Sequence, residues 1–139
     1  MGPLLLRLII GFGFMAHGWA KLSRGPAEFE KLLAQAGGPF AHISSWIVPL
    51  TELLGGLAMF LGLFVSITAI PLIVVMLAAM LTVQINYGFS SIKTIGLTLF
   101  GPPGYEINPL YIAGLISLIL TGGGVFSLDA LMVKKKAGE

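Results

Sequence analysis

The chain has no cysteine. That absence removes disulfide exchange, thiolate catalysis and iron–sulfur ligation by its own side chains. Charge is almost as scarce. Only 10% of the 139 residues are Asp, Glu, Lys or Arg, against about a quarter in a soluble domain. Too few charges remain to solvate a globule, whereas a content of 56% hydrophobic residues suits a lipid solvent. The basic residues form no stripe interleaved with aromatics, so nucleic acid is not an expected partner. His17, His42 and the scattered carboxylates lack ligand spacing, so no metal is expected. Arg7 interrupts the first apolar run and no small-x-small site follows it, which argues against a cleavable signal peptide.

What the chain does have is long apolar runs. Segments at roughly 3–21, 46–64, 67–86 and 108–126 approach the ~20 residues that a bilayer core requires of a helix. They predict an all-α single domain over 1–139, an integral membrane four-helix bundle. The few uncharged residues between the second and third spans require a tight hairpin, with Pro71 in the first turns of the third helix. In "SRGPAEFEKLLAQAGGP", Pro26 suits a first turn, Glu28 and Glu30 favour its positive end, and Gly37-Gly38-Pro39 stop the helix. Phe29, Leu32, Leu33 and Ala36 share a face, which predicts a short amphipathic interfacial helix between the first and second spans. Residues 86–109, "NYGFSSIKTIGLTLFGPPGYEINP", read as an interfacial or partly re-entrant loop. An even number of spans puts both termini on one side. Lys21, Arg24, Lys31 and Lys93 stand on the other, but the compact Lys134-Lys135-Lys136 beside the last span favours cytoplasmic termini.

An ionisable group within a span costs roughly 2.5–3.5 kcal/mol at the bilayer centre, so each needs a partner or a reason. Lys21 ends the first span and His17 lies about one turn inside it. Glu52 enters the second span from the same side and sits about 9 Å deep. Gln84 and Asn86 close the third span in that layer, and Tyr105 and Glu106 open the fourth there. Gly11, Met15 and Gly18 form one stripe, and Glu52, Gly55, Gly56, Met59 and Gly62 form another. Small residues at such spacing let helices approach closely in lipid. Facing stripes would bring Glu52 near His17 and Lys21, and the His17–Glu52 pair is the favoured site. Trp19 reads as an interface anchor. Arg7 and Asp129 lie together at the opposite end and predict a structural ion pair.

Three ordered motifs carry a resemblance that covers almost the whole chain. "RLIIGFGFMAHGWAKL" resembles the opening signature of the DoxX family, an arginine, a glycine-rich run and a His-Gly-x-x-Lys element. "ELLGGLAMFLGLF" is similar to its Glu-x-x-Gly-Gly helix, and "GYEINPLYIAGLISLILTGGGVFSLDAL" to its closing pattern. The resemblance implies a small four-helix inner-membrane protein. Some relatives are subunits of a thiosulfate:quinone oxidoreductase, and others belong to membrane redox or oxidative-stress complexes with thiol-handling partners. By that analogy Arg7, His17, Lys21, Glu52, Tyr105, Glu106 and Asp129 fall on motif positions. Family members often carry a histidine late in the third helix, where this chain offers Gln84 and Asn86.

The sharpest functional reading is a quinone-interacting, redox-associated subunit. Quinone reduction needs hydrogen-bond donors to two carbonyls and a protonatable relay to water. His17 or Lys21 would donate, and Glu52 with Glu106 would move protons, with Gln84, Asn86 and Tyr105 completing the site. The chain shows no evident electron carrier of its own, so a partner subunit or bound cofactor must deliver electrons. Other readings stand beside it. His17, Lys21 and Glu52 would satisfy one another in a polar network that binds nothing. The long connections would dock a protein partner in a scaffold that assembles a redox or stress-response complex. A small proton-coupled transporter using Glu52 is weaker, since no pair of broken helices is evident. The glycine faces would serve packing within one bundle or in a homo-oligomer.

Overall fold

The computed structural model describes residues 1–90, 94–95, 99–100 and 102–137. Six α-helices account for most of them: α1 Gly2–Arg24, α2 Pro26–Gln35, α3 Ala41–Leu61, α4 Val65–Thr82, α5 Ile107–Thr121 and α6 Leu128–Ala137. A 3-10 turn over Gln84–Tyr87 follows α4, and β1 Thr94–Ile95 pairs antiparallel with β2 Leu99–Phe100. The loop reading at 91–93, 96–98 and 101, Lys93 included, lies outside the described residues.

Three helices, α1, α3 and α4, are long and apolar enough to cross a membrane, and α5 is a shorter apolar helix. Only 28% of the apolar window of each long helix is buried inside the protein. Ile9, Phe12, Leu54, Ile67 and Val74 are all more than half exposed. Outward faces of this kind are stable against lipid and not against water.

The helices pack as α1 on α3, α3 on α4, α4 on α5, and α5 less extensively back on α1. Their common core holds Ile10, Phe14, Met59, Val65, Ala69, Leu72, Met76, Leu115 and Leu118. Phe14 meets Tyr111 edge to face, with ring centroids 5.3 Å apart.

The α1–α3 seam is the closest. A methyl group at Gly56 would lie 2.7 Å from Met15 N and 2.8 Å from Gly11 O. One at Gly18 would lie 2.6 Å from Pro49 O and 2.7 Å from Leu53 N. These are backbone atoms that cannot swing aside, so only glycine lets the two helices touch. Of the two predicted stripes, Gly11, Gly18 and Gly56 form this seam. Gly55 turns instead to Leu72 of α4, and Gly62 to Arg7 and Ser127.

Helix boundaries depart from the apolar runs where backbone chemistry intervenes. The second span starts at Ala41 and ends at Leu61. There Gly62, at φ 74, closes a paired cap in which Gly62 N donates to Met59 O and Leu63 N donates to Ala58 O. The predicted third span breaks at Thr82 into the 3-10 turn. The last apolar helix stops at Thr121, before Gly122-Gly123-Gly124, and the chain resumes as α6. The helix after the first span lies at Pro26–Gln35 and buries Leu33, packing on α3 and α1. Glu30 Oε2 lies 2.9 Å from His42 Nδ1 and ties α2 to the first turn of α3. On the outer side of α2 the Lys31 ammonium is held above the usual lysine range by its hydrogen bond to Glu28 and by that carboxylate's charge.

Arg7 and Asp129 do meet at one end, but as caps of different helices. Arg7 is buried and donates to the carbonyls of Phe60, at 3.3 Å, and Phe126. Asp129 accepts from Phe64 N at 2.7 Å and Val65 N at 3.0 Å, capping α4 from α6. The expected direct ion pair is not formed: Arg7 pairs with the carbonyls of Phe60 in the last turn of α3 and Phe126 in the turn before α6, and Asp129 with the first amides of α4.

Replacing Gly56 by Ala should cost about 1–3 kcal/mol by forcing the α1 and α3 backbones apart. Gly2→Ala, with nothing within 4 Å, should be near neutral. Thermal unfolding in mild detergent separates the two. Asp129→Ala should cost about 0.5–2 kcal/mol by the same measurement, because it uncaps α4.

Candidate functional site

The seam decides which side chain of α1 meets Glu52. The buried face of α1 runs Arg7, Ile10, Gly11, Phe14, Gly18, a spacing of three and four that arrives next at Lys21. On α3 the buried face runs Ser45, Pro49, Glu52, Gly56, Met59. Lys21 therefore faces Glu52, and its ammonium donates to both carboxylate oxygens at 2.6 and 2.7 Å. His17 lies one residue before Gly18, about 100° around the helix. It is exposed at the edge of the same region and makes no hydrogen bond among the described residues. The partner of Glu52 is thus Lys21, where His17 was the favoured one.

Glu52 is 2% exposed, while the Lys21 side chain keeps 24% of its surface open. The ammonium also stands 5.0 Å from the centre of the Phe29 ring, a cation–π contact from α2. Carboxylate, cation and ring form a short column leading from the interior towards the helix ends.

Beside this column is a cavity of about 330 Å³. His17, Lys21 and Arg24 of α1 line it with Phe29 and Leu32 of α2 and Glu52 of α3. Met76 and Ala79 of α4, Gln84 of the 3-10 turn and Asn108 of α5 close the far side. Most of the wall is apolar, with a few polar groups set into it, as small-ligand sites are generally built. Asn108 is 3% exposed and donates through Nδ2 to Met76 O at 3.2 Å. Its Oδ1, and Oε1 of Gln84, are buried with no hydrogen-bond partner.

The structure thus brings together His17, Lys21, Glu52 and Gln84 from the predicted layer. It leaves three others outside the lining. Asn86 is exposed on the 3-10 turn. Tyr105 stacks edge to face on Phe89 at 5.5 Å, and Glu106 stands at the N-cap of α5. Asn108 and Met76 were not singled out in the sequence, and Arg24 was read there only as a topology charge. Asn108 carried a usable signal, a polar residue at the start of an apolar run on the side from which Glu52 enters.

Removing one partner of a buried ion pair leaves an uncompensated charge, at a cost of about 3–5 kcal/mol. Because Lys21 is partly open, Lys21→Met should fall near the lower end of that range. Combining it with Glu52→Gln should restore most of the loss. The thermal stabilities of the two single variants and the double variant form the cycle that measures the coupling. Purely additive losses would show that the pair contributes nothing as a pair.

The DoxX family profile matches residues 2–85, the stretch from α1 into the 3-10 turn after α4. The chain is 27% identical over 136 residues to "Putative oxidoreductase CatD" of Bacillus subtilis, covering 98% of this chain and 90% of that protein. It is 26% identical to "Uncharacterized membrane protein Rv3486" of Mycobacterium tuberculosis, covering 94% of this chain and 80% of that one. A Haemophilus influenzae protein is also 26% identical, over 94% of this chain and 90% of its own. No solved structure matches the chain. The protein belongs to the DoxX family of membrane proteins.

Proposed function

We propose that this DoxX-family protein is a membrane-embedded, redox-associated subunit that spans the cytoplasmic membrane four times and admits a quinone-type ring to the cavity beside Lys21 and Glu52. The observation that carries this reading is a buried carboxylate–ammonium pair set in the wall of a cavity of about 330 Å³. That volume lies at the small end of ligand sites, enough for a ring and the start of its tail. The residues suit such a group: apolar walls from Phe29, Leu32, Met76 and Ile107, and polar atoms from Lys21, Gln84 and Asn108. A relative bearing an oxidoreductase name points in the same direction.

A quinone supplies a two-electron, two-proton acceptor. The chain's own residues would hold and move the protons. Lys21 Nζ donates to both Glu52 oxygens at 2.6 and 2.7 Å, which sets a paired proton donor and acceptor in the cavity wall. The open part of Lys21 allows a proton at Nζ to be replaced from the water side. Electrons arrive from a partner protein, since the chain has no cysteine and shows no evident carrier among its side chains. The partner docks at the cavity end, where Ala27, Glu28 and Lys31 of α2 face outward. Both termini lie on the cytoplasmic side with the exposed Lys134 and Lys135 of α6, and the cavity belongs to the opposite half of the bilayer.

A short-tailed quinone added to the detergent-solubilised protein should raise its melting temperature in a saturable manner. Glu52→Gln should weaken that response at least tenfold while the protein still folds. Absence of any quinone-dependent stabilisation in the parent protein, together with a Glu52→Gln variant indistinguishable from it, would defeat the redox reading and leave a polar packing network.

A further inference from the structure

The seam between α1 and α5 is the least extensive of the contacts that close the ring of apolar helices, and it is hollow at both ends. Its register is fixed in the middle. The Tyr111 ring lies across Gly13 and meets Phe14 edge to face. A methyl group at Gly114 would stand 2.5 Å from Ile10 Cδ1 and 3.4 Å from Leu6 Cδ1. As the numbers rise along α1 they fall along α5, so the two helices run antiparallel. One turn beyond Gly13 and Tyr111, His17 comes level with Ile107, and both line the cavity beside Lys21. In the other direction Leu6 comes level with Ser117. There a second hollow, of about 430 Å³, opens between Leu5, Leu6 and Ile9 of α1 and Ser117 and Thr121 of α5.

The outer side of this seam faces lipid at both ends. Leu5, Ile9, His17, Ile107, Ser117 and Thr121 are all exposed, and the half-buried Tyr111 forms the floor between them. The result is a trough, closed inwards by Tyr111 and open outwards, that extends about 18 Å from His17 to Leu5. The first cavity, at about 330 Å³, holds a ring and only the start of a tail. Two of its sides are open. One carries Arg24 at the end of α1, where a hydrocarbon chain would displace water from a cation. The other lies between His17 and Ile107 and leads into the trough.

Resting on the quinone-type reading of the first cavity, we infer that its ligand carries a long hydrocarbon tail, which leaves between His17 and Ile107, passes over Tyr111 along the α1–α5 seam and ends in the second hollow. A bulk acyl chain would fill the second hollow alone, whereas a chain tethered to the ring runs through both. The tail leaves lipid to enter the trough, so it gains packing and no hydrophobic transfer energy, and its contribution is modest. His17 stands at the threshold where ring and tail meet.

The test uses the detergent-solubilised full chain and a naphthoquinone probe whose tail ends in a photoactivatable diazirine. Cross-links mapped by mass spectrometry should fall on Leu5 or Ile9 of α1 and on Ser117 or Thr121 of α5, and excess phylloquinone should suppress them. Ser117→Trp, a change on an exposed face, fills the second hollow. It should weaken phylloquinone binding about fivefold, the loss of roughly five to ten atom contacts, and leave the binding of menadione, which has no tail, as in the parent. A folded Ser117→Trp variant that binds phylloquinone like the parent overturns the tail path. Cross-links confined to α3 or α4 of the parent protein overturn it too and leave the ring site standing. Cross-links that excess phospholipid suppresses and phylloquinone does not make the second hollow a bulk-lipid groove and overturn the path in the same way. If neither menadione nor phylloquinone binds, ring site and tail path fall together. Cross-linking of the parent protein decides the matter even if Ser117→Trp does not fold.

Discussion

The contact of two backbones across the α1–α3 seam underlies everything else in this protein. Gly11 and Gly18 on one helix and Gly56 on the other leave no room for a methyl group, so the helices settle at a fixed separation and register. Two cations on one face of α1 inherit that register. Arg7 and Lys21 are fourteen residues apart in sequence, about 21 Å along a helix, and each reaches across the same seam at its own end. Arg7 finds the Phe60 carbonyl, where α3 stops, and Lys21 finds Glu52. A helix held even slightly farther away would strand both charges.

The two ends use their polar groups differently. At the Arg7 end, side chains pair with backbone: the guanidinium with carbonyls of the last turn of α3 and of the turn before α6, and the Asp129 carboxylate with the first amides of α4. Such contacts complete groups that any helix end leaves unsatisfied, and they read as architecture. At the Lys21 end, side chains pair with one another beside open volume, and each end keeps buried polar atoms without a partner, Arg7 Nε at one and the amide oxygens of Gln84 and Asn108 at the other. Buried polar groups left unpaired are costly to fold, so each calls for a physical explanation.

Much of this was legible in the sequence, and what was not has identifiable causes. Apolar runs placed the long helices, and Pro26 with Gly37-Gly38 placed α2. The runs did not reveal that Gly62 would cap α3 or that the glycines after Thr121 would end α5 and release α6. Those endings depend on backbone hydrogen bonds and not on hydropathy. Depth counting brought Glu52, Lys21, His17 and Gln84 into one layer. Depth carries no azimuth, however, so His17 was preferred to Lys21 although only Lys21 continues the Gly11–Phe14–Gly18 face. For the same reason Asn86, Tyr105 and Glu106 were assigned to the site, whereas the cavity lining does not include them. Asn108 was passed over because it stood at a segment boundary, where a polar residue attracts no notice. Arg7 and Asp129 were correctly assigned to one end, and the backbone groups that bind them separately cannot be read from side-chain charge.

The shortness of α5 has a consequence for the surrounding lipid. Fifteen residues make a rod of about 22 Å, some 8 Å less than a typical hydrocarbon core of about 30 Å. In a four-span arrangement the bilayer must thin along that flank, or the polar start of α5 must sit below the headgroups. Asn108 lies at that start, in the wall of the cavity. Hydrophobic mismatch would then draw the headgroup boundary down towards the site on one side only. A long-tailed ligand could pass sideways out of the acyl chains without crossing the interface, and membrane thickness would set how readily it does so.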